Sequence, residues 1–121
     1  MPTTVYHLKA CDSCRKVLKQ FTAAEKEVVA IDVRETPLSP ETLSRFIEAF
    51  GWDKLINRRS TTWRGLSETQ KADAERTALE LLQAHPTLMK RPVIDGPNGL
   101  TLGTGKDDIA RHLNGAAERS S

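Results

Sequence analysis

Two cysteines, Cys11 and Cys14, stand three positions apart in "YHLKACDSCRKVLKQF", where an apolar run gives way to a basic, helix-like one. The pair has three interpretations: a redox couple, half of a zinc site, or two buried and inert thiols. A thiolate, rather than a thiol, attacks a disulfide or an oxyanion, so redox chemistry requires a feature that lowers the thiol pKa from about 8.5. A helix N-terminus is such a feature, because its free amides and dipole stabilise negative charge.

The residues around the pair predict that Cys11 lies at the start of a helix. Residues 3–8 are short, β-branched and aromatic, which predicts a buried strand. Apolar residues recur at helical spacing from 13 to about 25, and residues 28–33 predict a second strand. A strand, helix and strand within roughly 30 residues is the usual size of a parallel βαβ unit. This order predicts Cys11 as the nucleophile and Cys14, one turn later, as the resolving thiol.

The alternatives to redox chemistry stay open at this point. A zinc site would have to recruit two of the three scattered histidines, His7, His85 and His112, and the last of these is expected at the surface. A buried, inert pair is possible because cysteine is common in protein cores. The position of the pair between a strand and a helix favours redox chemistry, and His7, Lys9 and Arg15 could add positive charge near the first thiol.

Further along the chain, start and stop signals predict helices. Ser39 is a predicted N-cap with Pro40 at the first helical position, and Gly51 ends this helix. Residues 52–66 contain three arginines, two tryptophans and several hydroxyl groups, which predicts an irregular surface segment with substrate contacts. Another helix over 74–84 ends before a proline, which disfavours helical backbone in the residue before it.

The last third of the chain predicts a hairpin and a final helix. Residues 95–99 are a dense turn signal between two short strands, and a helix follows from about 106 to 113. The whole order predicts an α/β protein with a thioredoxin-like plan: a four-stranded mixed sheet with helices packed on it and a helical insertion after the second strand. We expect a single domain over residues 1–115 and a disordered tail over 116–121.

Composition limits the classes of function. Of the 121 residues, 38% are hydrophobic and 28% are charged, a balance typical of globular proteins. A net charge of +2 is too small for a nucleic-acid footprint, so no direct nucleic-acid contact is expected. No apolar run approaches the roughly 20 residues of a membrane span, and residues 1–4 lack the features of a signal peptide. We therefore expect a cytoplasmic monomer without membrane contact. In a reducing compartment the two thiols are expected to be reactive, metal-binding or buried rather than joined in a structural disulfide.

Three stretches resemble the arsenate reductase (ArsC) family, and most closely its YffB-like and Spx-like branch. "YHLKACDSCRK" resembles the family's catalytic loop, in which a cysteine opens the first helix. "LINRRSTTWRGL" is similar to the segment that follows the family's inserted helices, and its "TTWR" resembles the YffB-like branch. "LLQAHPTLMKRPV" is similar to the stretch whose arginine and proline flank the active site. The resemblance runs nearly from end to end of the chain.

The resemblance implies roles for individual residues. It makes Cys11 the catalytic thiol and His7 a neighbour that tunes it, a role for which Lys9 is a further candidate. It makes Arg91 an anion-binding arginine and Pro92 the cis-proline of a thioredoxin fold.

The chain also departs from the pattern of arsenate reductases. Where these enzymes place one of three oxyanion-binding arginines, residues 57–59 read Asn-Arg-Arg, and Arg59 suits the YffB-like and Spx-like pattern better. The third arginine is missing near "LTLGTGKDD", which offers only Thr104 and Lys106. Cys14 is absent from typical arsenate reductases and matches the CxxC of Spx-like members. Arsenate reduction therefore ranks third among the expected activities.

The first expectation is a thiol–disulfide oxidoreductase that binds no cofactor and uses glutathione as co-substrate. Cys11 would attack a small-molecule or protein disulfide, and Cys14 or glutathione would resolve the mixed disulfide. The predicted substrate-binding residues are Arg59, Arg91, Pro92 and Lys106, of which the arginines would hold a carboxylate. The second expectation is an Spx-like regulator that binds RNA polymerase and uses a disulfide between the two cysteines as a switch.

Overall fold

The computed structural model describes residues 3–9 and 11–120, with side chains as far as Leu113. The chain forms two compact units. The first contains Met1–Asp32 and Arg91–Ser121, and the second contains Val33–Lys90. The first unit holds both cysteines and the whole of the sheet.

The sheet of the first unit has four strands in the order β2-β1-β3-β4. β1 (Thr3–His7) lies inside the sheet, parallel to β2 (Val28–Asp32) and antiparallel to β3 (Val93–Gly96). β4 (Gly99–Leu102) pairs antiparallel with β3 through the predicted turn. The predicted four-stranded mixed sheet is therefore confirmed, and the parallel β1–β2 pair follows from the crossover helix between them.

Two helices, α1 (Asp12–Ala23) and α7 (Lys106–Ser120), belong to the same unit as the sheet. Apolar residues of the strands and of both helices form one buried cluster, because each element turns one apolar stripe inward. Burial of each such side chain stabilises the fold by about 1.5–3 kcal/mol. The cluster consists of Val5, Val17, Phe21, Ile94 and Ile109.

The second unit is helical and lies between β2 and β3 in the sequence, which confirms the predicted insertion after the second strand. A single-turn 3₁₀ helix, Pro86–Leu88, precedes the return to the first unit. The α-helices of this unit are α2 (Pro40–Phe50), α3 (Trp52–Leu55), α4 (Thr61–Arg64), α5 (Glu68–Ala72) and α6 (Ala74–Ala84).

α2 begins and ends where its sequence signals predict. The Ser39 hydroxyl accepts a hydrogen bond from the Thr42 amide at 3.2 Å, and Pro40 occupies the first turn, where no amide donor is needed. Gly51 ends the helix with a φ of 86°, a value that side chains with a Cβ disfavour. The helix buries Leu43 on its apolar stripe, together with Phe46.

The prediction of an irregular surface segment over residues 52–66 was wrong. This segment contains α3 and α4, and it buries Leu55, Ile56 and Leu66. α5, which begins at a capping box between Ser67 and Gln70, was not predicted at all. Helices of four or five residues complete hardly more than one turn, so they show no apolar period in the sequence.

α7 extends to Ser120, beyond the predicted end at Leu113. The disordered tail predicted over 116–121 falls on residues whose side chains are not described, and it stays a prediction. In the described part of the chain, no helix combines the length and the apolar character that crossing a membrane requires.

Candidate active site

The loop between β1 and α1 carries Cys11. The Cys11 amide donates a hydrogen bond to the Leu8 carbonyl at 2.9 Å, which closes the loop into a turn. The Lys9 amide in the same loop donates to Oδ2 of Asp32 at 2.9 Å. Cys11 itself is the N-cap of α1, with an extended backbone at φ −89° and ψ 112° and a half-buried side chain. The predicted position of this cysteine at the start of the helix is confirmed.

The Cys11 sulfur accepts hydrogen bonds from the end of α1. The Cys14 amide donates to Sγ of Cys11 at 3.4 Å, and the Ser13 amide contributes a further interaction. The Cys14 thiol also donates to this sulfur. These donors favour the thiolate over the thiol, because hydrogen bonds to the charged form lower a pKa.

The two thiols differ in acidity. Burial raises the pKa of Cys11, but the hydrogen bonds from Cys14 and the positive charge of Arg91 outweigh it, so this pKa is lowered from its ordinary value. Burial also raises the pKa of Cys14, whose side chain is 0% exposed, and the hydrogen bond to Cys11 and the charge of Cys11 raise it further, to about 12. Cys11 is therefore the more acidic of the two thiols and the one that more readily forms a thiolate.

Arg91 supplies positive charge at this site from the start of the return segment. It precedes Pro92, and the peptide bond between them is cis, as the resemblance implied. Pro92 is fully buried, and its carbonyl accepts a hydrogen bond from the Gly103 amide at 2.8 Å, which ties this segment to the end of β4. Arg91 is half-buried, and its guanidinium lowers the pKa of Cys11.

The other residues predicted to belong to the site lie in different elements of the fold. His7 is buried at the end of β1 and lies opposite Asp32 in the register of β1 and β2. Lys9 is exposed on the loop, and Lys106 is exposed at the first position of α7. Arg59 belongs to the second unit, where it is exposed and its amide donates to Oδ1 of Asn57 at 3.1 Å. The tuning and substrate-binding roles assigned to these residues stay predictions.

His112 is not at the surface, contrary to expectation. It is 4% exposed, its Nε2 lies 2.9 Å from the hydroxyl of Thr101, and its ring lies 6.5 Å from that of Phe21. His112 lies on the face of α7 that packs toward the sheet. The sequence did not reveal this position, because a single polar residue is ordinarily expected on the exposed face of a helix. Within the residues that the structure describes, no group of three or more His, Cys, Asp or Glu side chains is arranged to hold a metal ion.

Sequence reasoning did not identify Asp32. This carboxylate is 7% exposed at the end of β2, and it binds the backbone of the loop that carries the nucleophile. The sequence "VVAID" contained a signal, because an acidic residue ends a β-branched strand. This strand and β1 run parallel, so Asp32 lies at the same end of the sheet as the start of the cysteine loop. Carboxyl ends of parallel strands meet at one edge, so a polar residue there was a candidate.

Comparisons with known proteins give the family. The model of the ArsC family matches residues 6–112. An uncharacterized protein of Haemophilus influenzae is 44% identical over 92 residues, which cover 75% of this chain and 81% of that protein. The global transcriptional regulator Spx of Bacillus subtilis is 28% identical over 112 residues, covering 91% of this chain and 86% of the regulator. The solved structure of a YFFB protein is 33% identical with a TM-score of 0.85, and the match covers 92% of this chain and 98% of the YFFB chain. The chain therefore belongs to the ArsC family.

Proposed function

We propose that this protein is a thiol–disulfide oxidoreductase that takes glutathione as its co-substrate. The observation that carries the proposal is the difference between its two thiols. Cys11 lies at the N-terminus of α1 with a lowered pKa, and the buried Cys14 is its hydrogen-bond donor. A lowered pKa raises the fraction of Cys11 present as the nucleophilic thiolate, and a second thiol within hydrogen-bonding reach supports redox chemistry. Membership of the ArsC family supports the same coarse class of thiol-based reductase.

The reaction begins with attack on a glutathione mixed disulfide. The Cys11 thiolate forms a bond to the glutathione sulfur, the original S–S bond breaks, and the substrate thiol leaves as a thiolate that takes a proton from water. The thiolate of a second glutathione then attacks the sulfur of the glutathione bound to Cys11. The bond between Cys11 and that sulfur breaks, which releases glutathione disulfide and the Cys11 thiolate. Overall, one mixed disulfide and one glutathione give one substrate thiol and one glutathione disulfide, and Cys11 returns unchanged.

Cys14 offers a second route for resolving the intermediate. Its pKa of about 12 makes it a poor nucleophile while Cys11 is free. Two of the causes of that raised pKa, the hydrogen bond to Cys11 and the charge of Cys11, depend on the free thiolate. Formation of a mixed disulfide on Cys11 neutralises its sulfur, so the pKa of Cys14 falls in the intermediate and its attack becomes more favourable. This attack would break the bond between Cys11 and glutathione and give a Cys11–Cys14 disulfide and free glutathione. Two glutathione molecules would then reduce that disulfide to the two thiols and leave as glutathione disulfide.

Cationic side chains would hold the carboxylates of glutathione. Arg91 is the best supported, because its charge already acts on Cys11 and a guanidinium binds a carboxylate through two parallel hydrogen bonds. Lys106, which is exposed in the same unit as Cys11, is a further candidate. Pro92 would present its backbone beside the nucleophile.

Arsenate is a less favourable substrate. Binding this compact anion above a negative sulfur requires several fixed donors, and the sequence lacks an arginine at the third position expected for them. The loss of one charged hydrogen bond of about 1.5–3 kcal/mol lowers binding by roughly tenfold to a hundredfold. A mixed disulfide is neutral at the point of attack, so it depends less on these donors.

The test is steady-state reduction of a glutathione mixed disulfide of a small thiol, coupled to glutathione reductase and NADPH. We expect turnover by the wild type and none by Cys11→Ser. In Cys14→Ser, retained turnover would assign resolution to glutathione, and lost turnover would assign it to Cys14. Absence of turnover by the wild type would refute the proposal, and efficient arsenate reduction in a parallel assay would replace it with the third expectation.

A second candidate is an Spx-like regulator that binds RNA polymerase. The similarity to the Spx regulator of Bacillus subtilis over 91% of this chain, together with two cysteines three positions apart, favours it. In that case the two thiols form a disulfide that acts as a switch rather than a catalytic intermediate. Binding of the purified protein to purified RNA polymerase, measured in the reduced and oxidised forms, distinguishes this candidate from the oxidoreductase.

A further inference from the structure

The backbone of the cysteine loop depends on a side chain from a distant part of the sequence. The Lys9 amide points to Oδ2 of Asp32 at 2.9 Å, across a separation of 23 residues. The Cys11 amide turns back to the Leu8 carbonyl at 2.9 Å in the same loop. One of the hydrogen bonds that shape this turn is therefore local, and the other comes from the end of β2.

Asp32 is held firmly enough to act as an anchor. It is 7% exposed, and the register of the parallel pair sets it opposite His7, the last residue of β1. Its backbone is fixed by the β1–β2 ladder, so its carboxylate has a defined position relative to the start of the loop. A buried carboxylate is costly unless hydrogen bonds compensate it, and an amide donor such as that of Lys9 provides this compensation.

The charge of Asp32 alone would oppose catalysis. A negative charge near a thiolate disfavours ionisation of the thiol, so an acidic residue bound to the nucleophile's loop gives no electrostatic advantage. Its hydrogen bond to the backbone gives a different advantage, because the Cys11 sulfur accepts from the Cys14 amide only while the loop holds Cys11 in its N-cap geometry.

We propose that Asp32 is a positioning residue for the nucleophile: its buried carboxylate fixes the Lys9 backbone in the loop before α1, so that the Cys11 sulfur faces the free amides of α1. The role of Asp32 rests on the proposed function, in which Cys11 is the attacking thiol. Asp32 does not touch the substrate or the transferred sulfur in this account. It acts through the Lys9 amide.

Three variants separate the hydrogen bond from the charge. Asp32→Ala removes both, Asp32→Asn keeps an acceptor of the same length and removes only the charge, and Asp32→Ser keeps a polar group that is too short to reach. Asp95→Asn is the matched control, since Asp95 is a half-buried acid of the same sheet whose register partner is Thr4 rather than a residue of the loop.

The measurement is the rate at which a haloacetamide alkylates Cys11 as a function of pH, followed by mass spectrometry of the Cys11 peptide in folded protein. We expect Asp32→Ala to lower the rate at about pH 6 by about threefold to tenfold, which corresponds to up to about one unit of thiol pKa. Asp32→Asn should match or exceed the wild-type rate, and Asp95→Asn should leave it unchanged. If Asp32→Ala does not fold, Asp32→Ser replaces it, because it also lacks both the charge and the hydrogen bond to the Lys9 amide, and the same decrease in rate is expected.

The direction of the change decides the proposal. If Asp32 acted only through its charge, Asp32→Ala and Asp32→Asn would both speed alkylation, and the positioning role would be refuted. If it were merely structural, Asp32→Ala would lower stability to urea and leave the pH profile of the folded protein unchanged, which would also refute it. Alkylation requires no disulfide substrate, so a failure of the glutathione assay would overturn the proposed function without affecting this result.

Discussion

The N-termini of α1 and α2 have the same capping geometry but different consequences. In both, the N-cap residue has an extended backbone and its side chain accepts a hydrogen bond from the amide three residues later. The acceptor is the sulfur of Cys11 at 3.4 Å from the Cys14 amide, and the hydroxyl of Ser39 at 3.2 Å from the Thr42 amide. One cap carries a thiol whose pKa is lowered, and the other carries a hydroxyl that does not ionise in the range where thiols do.

Their surroundings explain the difference. Ser39 is exposed and is followed by Pro40 and Glu41, residues that suit the first turn of a helix and its dipole. Cys11 is half-buried and experiences the charge of Arg91. The comparison teaches that free amides at a helix end stabilise the helix when the cap is a hydroxyl, and that they stabilise a reactive anion when the cap is a thiol beside a cation.

The largest expected effect is on activity, and it comes from replacing the thiol that caps α1 with a hydroxyl like the one that caps α2. Cys11→Ser keeps a good N-cap but removes the thiolate, so mixed-disulfide reduction should fall by at least about a hundredfold. Stability to urea should stay within about 1 kcal/mol of the wild type, because serine caps a helix well. Activity of Cys11→Ser near the wild-type level would show that another group performs the attack.

The second prediction removes the cation that distinguishes α1. In Arg91→Gln the pKa of Cys11 should rise, and alkylation of Cys11 at about pH 6 should slow by about threefold to tenfold. Arg91→Lys keeps the charge and should retain most of the rate. Arg15→Gln is the control, since Arg15 is an exposed residue of α1 that pairs with Asp12. An equal effect of Arg15→Gln would mean that general positive charge, rather than Arg91, activates the thiol.

The helices and strands that could be predicted from the sequence are those marked by local signals, such as apolar periodicity and capping residues. The position of Cys11 follows from a strand pattern followed by a helical period, and α2 follows from the signals at Ser39 and Gly51. The short helices α3 and α4 were missed because a single turn leaves no periodic pattern. The anchoring role of Asp32 was also missed, because its partner is a backbone amide distant in sequence. The resemblance implied an anion-binding role for Arg91, but its effect on the pKa of Cys11 was not predicted, since no local rule brings the two residues together.

A smaller effect is expected at the cap of α2. Ser39→Ala removes the acceptor for the Thr42 amide and should lower the free energy of unfolding by about 1 kcal/mol. Because this cap takes no part in the chemistry, mixed-disulfide reduction by the folded variant should be unchanged. Urea unfolding and the coupled assay measure the two quantities. If Ser39→Ala lost more activity than the loss of folded protein explains, the cap of α2 would take part in the chemistry, and the proposed difference between the two helix N-termini would be wrong.

The smallest expected effect is on the pH dependence of stability, and it comes from the buried His112, which belongs to neither of the two N-termini compared above. Burial lowers the pKa of His112, and the charge of Arg111 lowers it further, against the opposing charges of Asp108 and Asp95. The neutral form is therefore favoured in the folded state, so the unfolded chain binds more protons below about pH 6.5. The stability that this group contributes is present above that pH and is lost as the pH falls below it.

Urea unfolding at several pH values between about 5 and 8 checks this prediction against His112→Gln. The wild type should lose more stability on acidification than the variant does, and the half-buried His85 provides a control through His85→Gln. Equal pH dependence in the wild type and His112→Gln would show that His112 is not the group responsible.

The most direct test of the central claim is the pH dependence of alkylation in two single-cysteine variants, Cys14→Ser and Cys11→Ser. We expect Cys11, alone in the first variant, to react at a lower pH than an ordinary thiol, whose pKa is about 8.5, because the amides of α1 and the charge of Arg91 still act on it. Cys14, alone in the second, should stay nearly unreactive at neutral pH, because burial remains the main cause of its raised pKa. Faster alkylation of Cys14 than of Cys11 at about pH 6 would reverse the two roles and contradict the account.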